Sequence, residues 1–202
     1  MATIDSATLK TTLQRVAEGT AAAAAELNAA DGQLGDGDLG ITVSKGFAEA
    51  AAADLPADVG LAFLECAKAF QRVSSSSYGT LVATGFMAAA KGSKGSETLD
   101  VSAIPALVAA ARDAMMARGK GELGAKSVLD SLDACAQAID GASADDMAGK
   151  AVQAARDTLT AFKGRPCKLG RARMFAEKSA QLDDPGQIAF LRIVEAAFPQ
   201  SA

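Results

Sequence analysis

Residues 31–42 constrain the fold most, because they place three aspartates and four glycines between Ala- and Leu-rich segments. The stretch reads Asp-Gly-Gln-Leu-Gly-Asp-Gly-Asp-Leu-Gly-Ile-Thr. Glycine has no Cβ, so the backbone here can turn sharply and aim several oxygens at one point. The flanking segments favour helix, since alanine is the best helix former. The sequence therefore predicts a connection between two helices that gathers Asp31, Asp36 and Asp38.

The three carboxylates indicate a metal site. They repel one another strongly unless a cation lies among them. Oxygen ligands without histidine or cysteine suit Mg²⁺ or Ca²⁺ rather than Zn²⁺. Protein-bound Mg²⁺ usually takes one or two carboxylates and completes its shell with water and substrate phosphates. The stretch is therefore interpreted as a Mg²⁺–nucleotide loop, with a solvated Asp-Gly turn as the alternative.

The rest of the chain favours a single all-α domain over residues 1–202. Hydrophobic residues make up 50% of the sequence but aromatic residues only 4%, and alanine dominates. Apolar residues at helical spacing predict eight helices and no strand. The predicted helices cover about residues 6–30, a segment from near Gly40, and residues 59–72, 81–90, 100–116, 127–139, 143–162 and 186–198. Gly19 lies inside the first helix and predicts a close helix contact.

Charge and composition exclude several classes of protein. A formal net charge of −4 argues against a nucleic-acid binder, which would need a basic surface. No apolar run reaches the roughly 20 residues that span a bilayer. The N-terminus lacks the basic and then apolar pattern of a signal peptide, so the expected location is cytoplasmic. The chain has no histidine, so chemistry that needs an imidazole must use another chain.

Three further connections carry polar or basic residues. Residues 73–80 contain four consecutive serines before an apolar helix, which suits either phosphate contact or ordinary serine capping. Residues 118–126 are basic and glycine-rich but lack Walker A spacing, and a helix C-terminal cap is the alternative interpretation. Residues 163–184 form a long loop, and long loops in compact domains are usually functional or disordered. Asp184 and Pro185 predict the N-cap and first position of the last helix.

Read in order, these connections resemble four motifs of the DhaL-type nucleotide-binding subunit of dihydroxyacetone kinases, over nearly the whole chain. Residues 35–40 are similar to Gly-Asp-Gly-Asp-His-Gly, residues 73–77 to Val-Gly-Gly-Ala-Ser, residues 118–120 and 124–127 to Arg-Gly-Lys and Gly-Asp-Lys-Thr, and residues 170–179 and 184–186 to Gly-Arg-Ala-Ser-Tyr-Leu-Gly-Glu-Arg-Ser and Asp-Pro-Gly. Leu39 stands at the motif's histidine and Ala125 at its aspartate, while Ser74 and Ser75 replace two glycines.

The resemblance implies a barrel of eight antiparallel helices with ADP or ATP at one end. It implies that Asp31, Asp36 and Asp38 hold two Mg²⁺ ions, and that Arg171 acts in catalysis by offsetting charge on the transferred phosphoryl group. The implied nucleotide contacts are Leu39, Gly40, Ile41, Thr42, Ser76, Ser77, Gly119, Val128, Arg171, Asp184, Pro185 and Gly186.

The resemblance also implies how the chain would act. The expected function is the Mg-nucleotide-binding, phosphoryl-transfer subunit of a kinase for dihydroxyacetone or a related small ketose. The ketone would sit on a separate DhaK-like subunit, bound covalently to a histidine that this chain lacks. A phosphotransferase-system phosphoryl donor and a second copy of the chain are further candidate partners. The alternative is a non-catalytic nucleotide-binding or regulatory module of the same fold, which Leu39 and Ala125 favour.

Overall fold

The computed structural model describes residues 2–199 and builds them mainly from α-helix. The helices are α1 (Ser6–Leu34), α2 (Leu39–Ala52), α3 (Val59–Val73), α4 (Ser77–Ser93), α5 (Ile104–Gly119), α6 (Val128–Ile139), α7 (Ala144–Ala161), α8 (Ala176–Ala180) and α9 (Pro185–Ala197). Two 3₁₀ segments, Val101–Ala103 and Arg171–Phe175, lie before α5 and α8. All eight predicted helices are present, α8 is an additional short one, and the all-α class is confirmed.

The structure corrects three details of the helix prediction. Two three-residue strands, β1 (Thr3–Asp5) and β2 (Thr98–Asp100), form an antiparallel pair, and strands this short show no periodicity in sequence. Helix α1 continues past residue 30 and ends before Gly35, where an added Cβ would lie 2.4 Å from the Asp31 carboxylate. Helix α4 begins at Ser77 rather than residue 81, because Ser76 caps it.

The long helices close into a ring. Each packs on the next from α1 to α7, α7 packs on α9, and α9 packs on α1. Helices joined by short connections run antiparallel to their neighbours. The α1–α2, α3–α4, α5–α6 and α7–α9 connections therefore meet at one end of the ring. That end carries every polar or basic connection that the sequence singled out.

Small residues allow the close helix packing of the core. An added Cβ at Gly19 would lie 2.4 Å from the Cβ of Ala196 on α9, which confirms the predicted close contact. A Cβ at Gly46 would lie 2.1 Å from the ring of Phe70. That ring packs edge-on against Phe47 with their centroids 5.0 Å apart. The aromatic core of the ring is therefore assembled around a glycine on α2.

Cysteine burial agrees with the sequence. Cys66, Cys135 and Cys167 are buried and form no disulfide, which confirms the first two as core residues. Among residues 2–199, none of the helices combines the length and the apolar composition that a membrane crossing requires.

Phe70→Ala is expected to lower the free energy of unfolding by about 3–5 kcal/mol, because a buried phenylalanine leaves a large cavity. Phe70 has no exposed surface. The measurement is chemical denaturation followed by circular dichroism. Leu61→Ala is the control, since Leu61 is 40% exposed and its replacement should change stability far less. Equal losses for the two variants would contradict this assignment of the core.

Candidate functional site

Three aspartates meet where α1 ends and α2 begins. One carboxylate oxygen from each of Asp31, Asp36 and Asp38 lies within 4.8 Å of the other two. The Oδ2 atom of Asp31 accepts hydrogen bonds from the backbone N–H groups of Gly37 (2.9 Å) and Asp38 (3.1 Å). Gly37 has a φ of 78°, a left-handed conformation that favours glycine. The turn thus folds back on Asp31 and brings the three carboxylates to one point.

The charges of this cluster are only partly compensated. Arg171 forms an ion pair with Asp36, and its hydrogen bond holds the pKa of Asp36 below the ordinary value. The pKa of Asp38 is raised, first by burial and then by the charges of Asp36 and Asp31. A bound cation would relieve this repulsion. The donors are carboxylate oxygens without nitrogen or sulfur, so the cluster fits a hard divalent cation such as Mg²⁺.

The first turn of α2 is capped from α1. The backbone N–H groups of Gly40 and Ile41 donate to Oδ1 of Asn28, at 2.8 and 3.3 Å. A Cβ at Gly40 would lie 2.0 Å from the carbonyl oxygen of Ala24, so this approach of the two helices requires glycine. The backbone N–H groups of Gly40 and Ile41, two of the predicted nucleotide contacts, are therefore already paired within the protein.

The serine-rich connection caps α4 and joins it to α2. The Ser76 hydroxyl accepts from the N–H of Gly79 at 3.0 Å. The Thr42 hydroxyl donates to Ser76 Oγ at 3.2 Å, and Ser74 Oγ lies 3.1 Å from the same atom. The capping interpretation is thus confirmed for Ser76. Capping and ligand contact are compatible, because Ser76 and Ser77 also line the cavity described next.

A cavity of about 720 Å³ opens at this end of the ring. Most residues predicted to bind metal or nucleotide line it: Asp31, Asp36, Asp38, Leu39, Ser76, Ser77, Gly119, Val128, Arg171, Asp184, Pro185 and Gly186. Gly40, Ile41 and Thr42 do not line it. Gly40 packs on α1, Thr42 is buried against Ser76, and Ile41 is 46% exposed.

One side of the cavity is apolar. This part of the wall is formed by residues of α4, α5, α6 and the loop after α7: Leu81, Met115, Val128, Leu129 and Leu169. These residues belong to a cluster that also packs beneath Tyr78. The three aspartates line the same cavity. A cavity lined by an apolar cluster, three carboxylates and a serine-capped helix start can hold a flat aromatic group joined to a metal-bound anion.

The segment before α9 contributes a basic residue to the cavity lining. Arg171 begins the Arg171–Phe175 segment, directly after Gly170, whose φ is 60°. Asp184 caps α9 by accepting from the N–H of Gln187 at 2.9 Å, so the predicted N-cap is confirmed. Burial raises the pKa of Asp184 to about 6, and the hydrogen bond from Gln187 opposes that shift. Asp184 therefore has a defined structural role besides its place in the cavity wall.

Three residues contribute to this end of the ring in ways that the sequence did not indicate. Asn28 caps α2, Tyr78 donates its hydroxyl to the Gly186 carbonyl at 3.3 Å, and Lys126 is buried. Lys126 lies in the basic, glycine-rich connection that the sequence singled out, but nothing in the sequence indicates that its side chain is buried. Asn28 gives no local signal, because its partners come from the next helix.

Comparison with known proteins shows which family has these features. The DAK2 domain model matches residues 33–198. The ADP-binding subunit DhaL of PEP-dependent dihydroxyacetone kinase 1 from Listeria innocua is 30% identical over 160 residues, which is 77% of this chain and 77% of that protein. The family match begins after Asp31 and includes Asp36, Asp38 and the last helix.

Solved structures show the same fold. The dihydroxyacetone kinase of C. freundii in complex with AMP-PNP and Mg²⁺ matches 93% of this chain with a TM-score of 0.72 and 22% identity. Its native form matches 94% with a TM-score of 0.74 and the same identity. This chain spans 32% and 34% of those kinase chains, about a third of their length. By its sequence match over most of its length, the chain belongs to the DAK2-domain family, which includes the ADP-binding subunit DhaL of dihydroxyacetone kinase.

Proposed function

We propose that this chain is the Mg-nucleotide-binding, phosphoryl-transfer subunit of a kinase for dihydroxyacetone or a related small ketose. One observation carries the proposal: the three carboxylates, the serine-capped start of α4 and an apolar wall all face one cavity. The Listeria relative is named as an ADP-binding subunit, and the C. freundii kinase was solved with AMP-PNP and Mg²⁺. Both names agree with a nucleotide in this cavity.

Asp31, Asp36 and Asp38 are the proposed ligands of two Mg²⁺ ions. Bound Mg²⁺ would supply positive charge that offsets the phosphate oxygens of the nucleotide. Asp31 is oriented by two backbone N–H groups, whereas the carboxylate of Asp38 does not cap its own helix. The chain thus holds one ligand rigidly and leaves the other two at the cavity surface.

The nucleotide contacts are proposed from the two sides of the cavity. Ser76 and Ser77, at the N-terminus of α4, would bind phosphate oxygens, since helix N-termini favour anions. Gly119 and Val128 would line the base and sugar beside the apolar wall. At the start of α2, the geometry favours the contact from Leu39, because Leu39 lines the cavity and the N–H groups of Gly40 and Ile41 are bonded to Asn28.

Arg171 is the proposed catalytic residue. Phosphoryl transfer depends on positioning and charge neutralisation more than on covalent chemistry by the protein. The Arg171 guanidinium already lies beside Asp36, at the acidic side of the cavity. There it would offset charge on the transferred phosphoryl group. The base that receives the proton of the acceptor hydroxyl would come from the partner subunit.

A DhaK-like subunit is the proposed partner, because this chain has no histidine with which to anchor a ketone. Two modes of supply are compatible with the cavity: exchange of ATP, or rephosphorylation of a retained ADP by a phosphotransferase-system protein. The name of the Listeria relative, a PEP-dependent kinase, favours the second. The alternative function is a non-catalytic nucleotide-binding module. It is favoured by Leu39 and Ala125, two buried apolar residues at positions where the motifs have histidine and aspartate.

Calorimetric titration with ADP tests the proposed function. We expect binding in the presence of Mg²⁺ and its loss when a chelator removes the metal, because the phosphates would otherwise face three carboxylates. AMP is the matched control ligand, since it has the same base and sugar but lacks the β-phosphate. Equal ADP affinity with and without Mg²⁺ would contradict the role of the aspartates.

The isolated chain is expected to phosphorylate no free dihydroxyacetone, because it lacks the ketone-anchoring histidine. Activity should appear only when a DhaK-like subunit is added. The measurement is an ATP- or phosphoryl-donor-dependent assay of triose phosphate formation, with the partner alone as the control. Turnover by this chain alone would contradict the two-subunit proposal. Nucleotide binding without turnover in any reconstituted complex would favour the non-catalytic alternative.

A further inference from the structure

The side chain of Lys126 is buried and fully hydrogen-bonded. It is only 1% exposed, and its backbone has a left-handed φ of 57°. Its Nζ atom donates to three backbone carbonyls: Arg165 at 2.9 Å, Ser179 at 2.9 Å and Leu182 at 2.6 Å. An ammonium group has three N–H donors, so all of its donors are used.

The three carbonyls belong to one segment, residues 163–184, which leaves α7 and returns to α9. The two limbs of this segment are also bonded to each other. The N–H of Gly164 donates to the Ala180 carbonyl at 3.1 Å, and the N–H of Cys167 donates to Ser179 Oγ at 2.8 Å. The segment is therefore a closed loop, and the Lys126 ammonium lies at its base.

Arg171 lies between the two limbs. Arg165 precedes it, whereas Ser179 and Leu182 follow it, so one ammonium bonds the chain on both sides of the arginine. Beyond Leu182 the chain continues directly into the Asp184 cap and α9. Any movement of the loop base would therefore displace both the arginine and the start of the last helix.

Burial of an ammonium has a large desolvation cost, and an apolar side chain of similar volume would often serve stability as well. At this position, however, an apolar side chain would leave three interior carbonyls without a donor. The backbone around Lys126 is fixed as well, because the Ala125 carbonyl accepts from the N–H of Lys168 at 2.9 Å. The buried charge thus holds a particular loop geometry.

We propose that Lys126 is a positioning residue of the phosphoryl-transfer site. It fixes residues 163–184 so that Arg171 faces the carboxylate cluster and the Asp184–Gly186 turn faces the cavity. This inference rests on the proposed function, since it concerns how the same cavity binds nucleotide. Lys126 itself does not line the cavity, so it acts through the loop rather than by touching the ligand.

Lys126→Met tests the proposal, because methionine keeps an unbranched side chain but removes the three donors. We expect the affinity for ADP in Mg²⁺ to fall by about ten- to a hundredfold, the range expected when a charge-assisted contact is lost. Lys10→Met is the matched control. Lys10 also donates to a carbonyl, that of Ala53 at 2.6 Å, but it lies about 30 Å along α1 from the acidic cluster. Its replacement should leave ADP affinity unchanged.

A double-mutant cycle with Arg171→Ala separates positioning from general stability. If Lys126 acts through Arg171, Lys126→Met should weaken ADP binding much less when Arg171 is already absent. In the absence of nucleotide, hydrogen exchange in Lys126→Met should be faster than in the wild type at the amides of Gly164, Arg165, Cys167 and Lys168, and unchanged in α3. Equal losses of affinity with and without Arg171, or exchange that rises throughout the protein, would overturn the proposal.

Lys126→Gln is the milder variant, because it keeps two N–H donors on a shorter side chain. It replaces Lys126→Met in the double-mutant cycle if Lys126→Met does not fold. Its affinity for ADP should lie between those of the wild type and Arg171→Ala. Wild-type affinity in this variant, together with unchanged exchange in residues 164–168, would overturn the proposal. If the wild-type protein binds no ADP, the proposed function fails, and the exchange measurement on the free protein still decides whether Lys126 fixes the loop.

Discussion

Asp38→Ala is expected to abolish Mg²⁺-dependent ADP binding while leaving the helical fold intact, and Asp36→Ala should do the same. Asp38→Ala is the simpler test, because the Asp38 carboxylate does not cap α2. Asp36→Ala also removes the ion pair with Arg171. Removing one of three neighbouring negative charges also reduces their repulsion. The stability of the metal-free protein should therefore stay equal or increase. A loss of ADP binding without a loss of stability is what we expect of residues that bind a ligand rather than support the fold.

Calorimetry with ADP in Mg²⁺ and thermal unfolding by circular dichroism measure the two quantities. Asp54→Ala is the matched control, because Asp54 is an exposed aspartate beyond the opposite end of α2. It should bind ADP as the wild type does. Equal ADP affinity for the wild type, Asp36→Ala and Asp38→Ala would contradict the assignment of these aspartates as metal ligands. A large drop in stability would instead show that the aspartates mainly hold the turn.

The helices were predictable because their signals are local. Alanine-rich periodicity predicts α1 and α2, and Asp184 acts as an N-cap where the sequence places it. The strand pair was not predictable, because Thr3–Asp5 and Thr98–Asp100 are three residues long and lie far apart in the chain. Their pairing depends on the closure of the helical ring, which is a tertiary event.

The acidic cluster was predictable for the same reason: Asp31, Asp36 and Asp38 are close in sequence and one glycine turn gathers them. Asn28 and Lys126 depend instead on tertiary contacts. Asn28 caps α2 only because α1 and α2 pack closely at Gly40. Lys126 is buried because residues 163–184 fold over it. A helix start that the sequence indicates is a candidate phosphate site, but its N–H groups can instead be hydrogen-bonded to a side chain of another helix.

Arg171→Ala is expected to weaken ADP binding in Mg²⁺ and to reduce turnover of the reconstituted complex by a larger factor. A guanidinium on phosphate oxygens is a charge-assisted contact, and hydrogen bonds to charged groups contribute about 1.5–3 kcal/mol. That range corresponds to about a ten- to a hundredfold loss of affinity. A contact that strengthens in the transition state adds a further loss to turnover alone.

Stability should hardly change, because the Arg171 side chain is 56% exposed and exposed ion pairs contribute little. Arg156→Ala is the matched control: Arg156 forms a comparable exposed ion pair with Glu195 on α9, outside the cavity. The test pairs ADP calorimetry with turnover measured with the partner and substrate. Matching losses in both would indicate uniform nucleotide binding without a special role in the transition state. No loss in either would show that Arg171 serves only to neutralise Asp36, and phosphoryl transfer would then need its positive charge from the partner subunit.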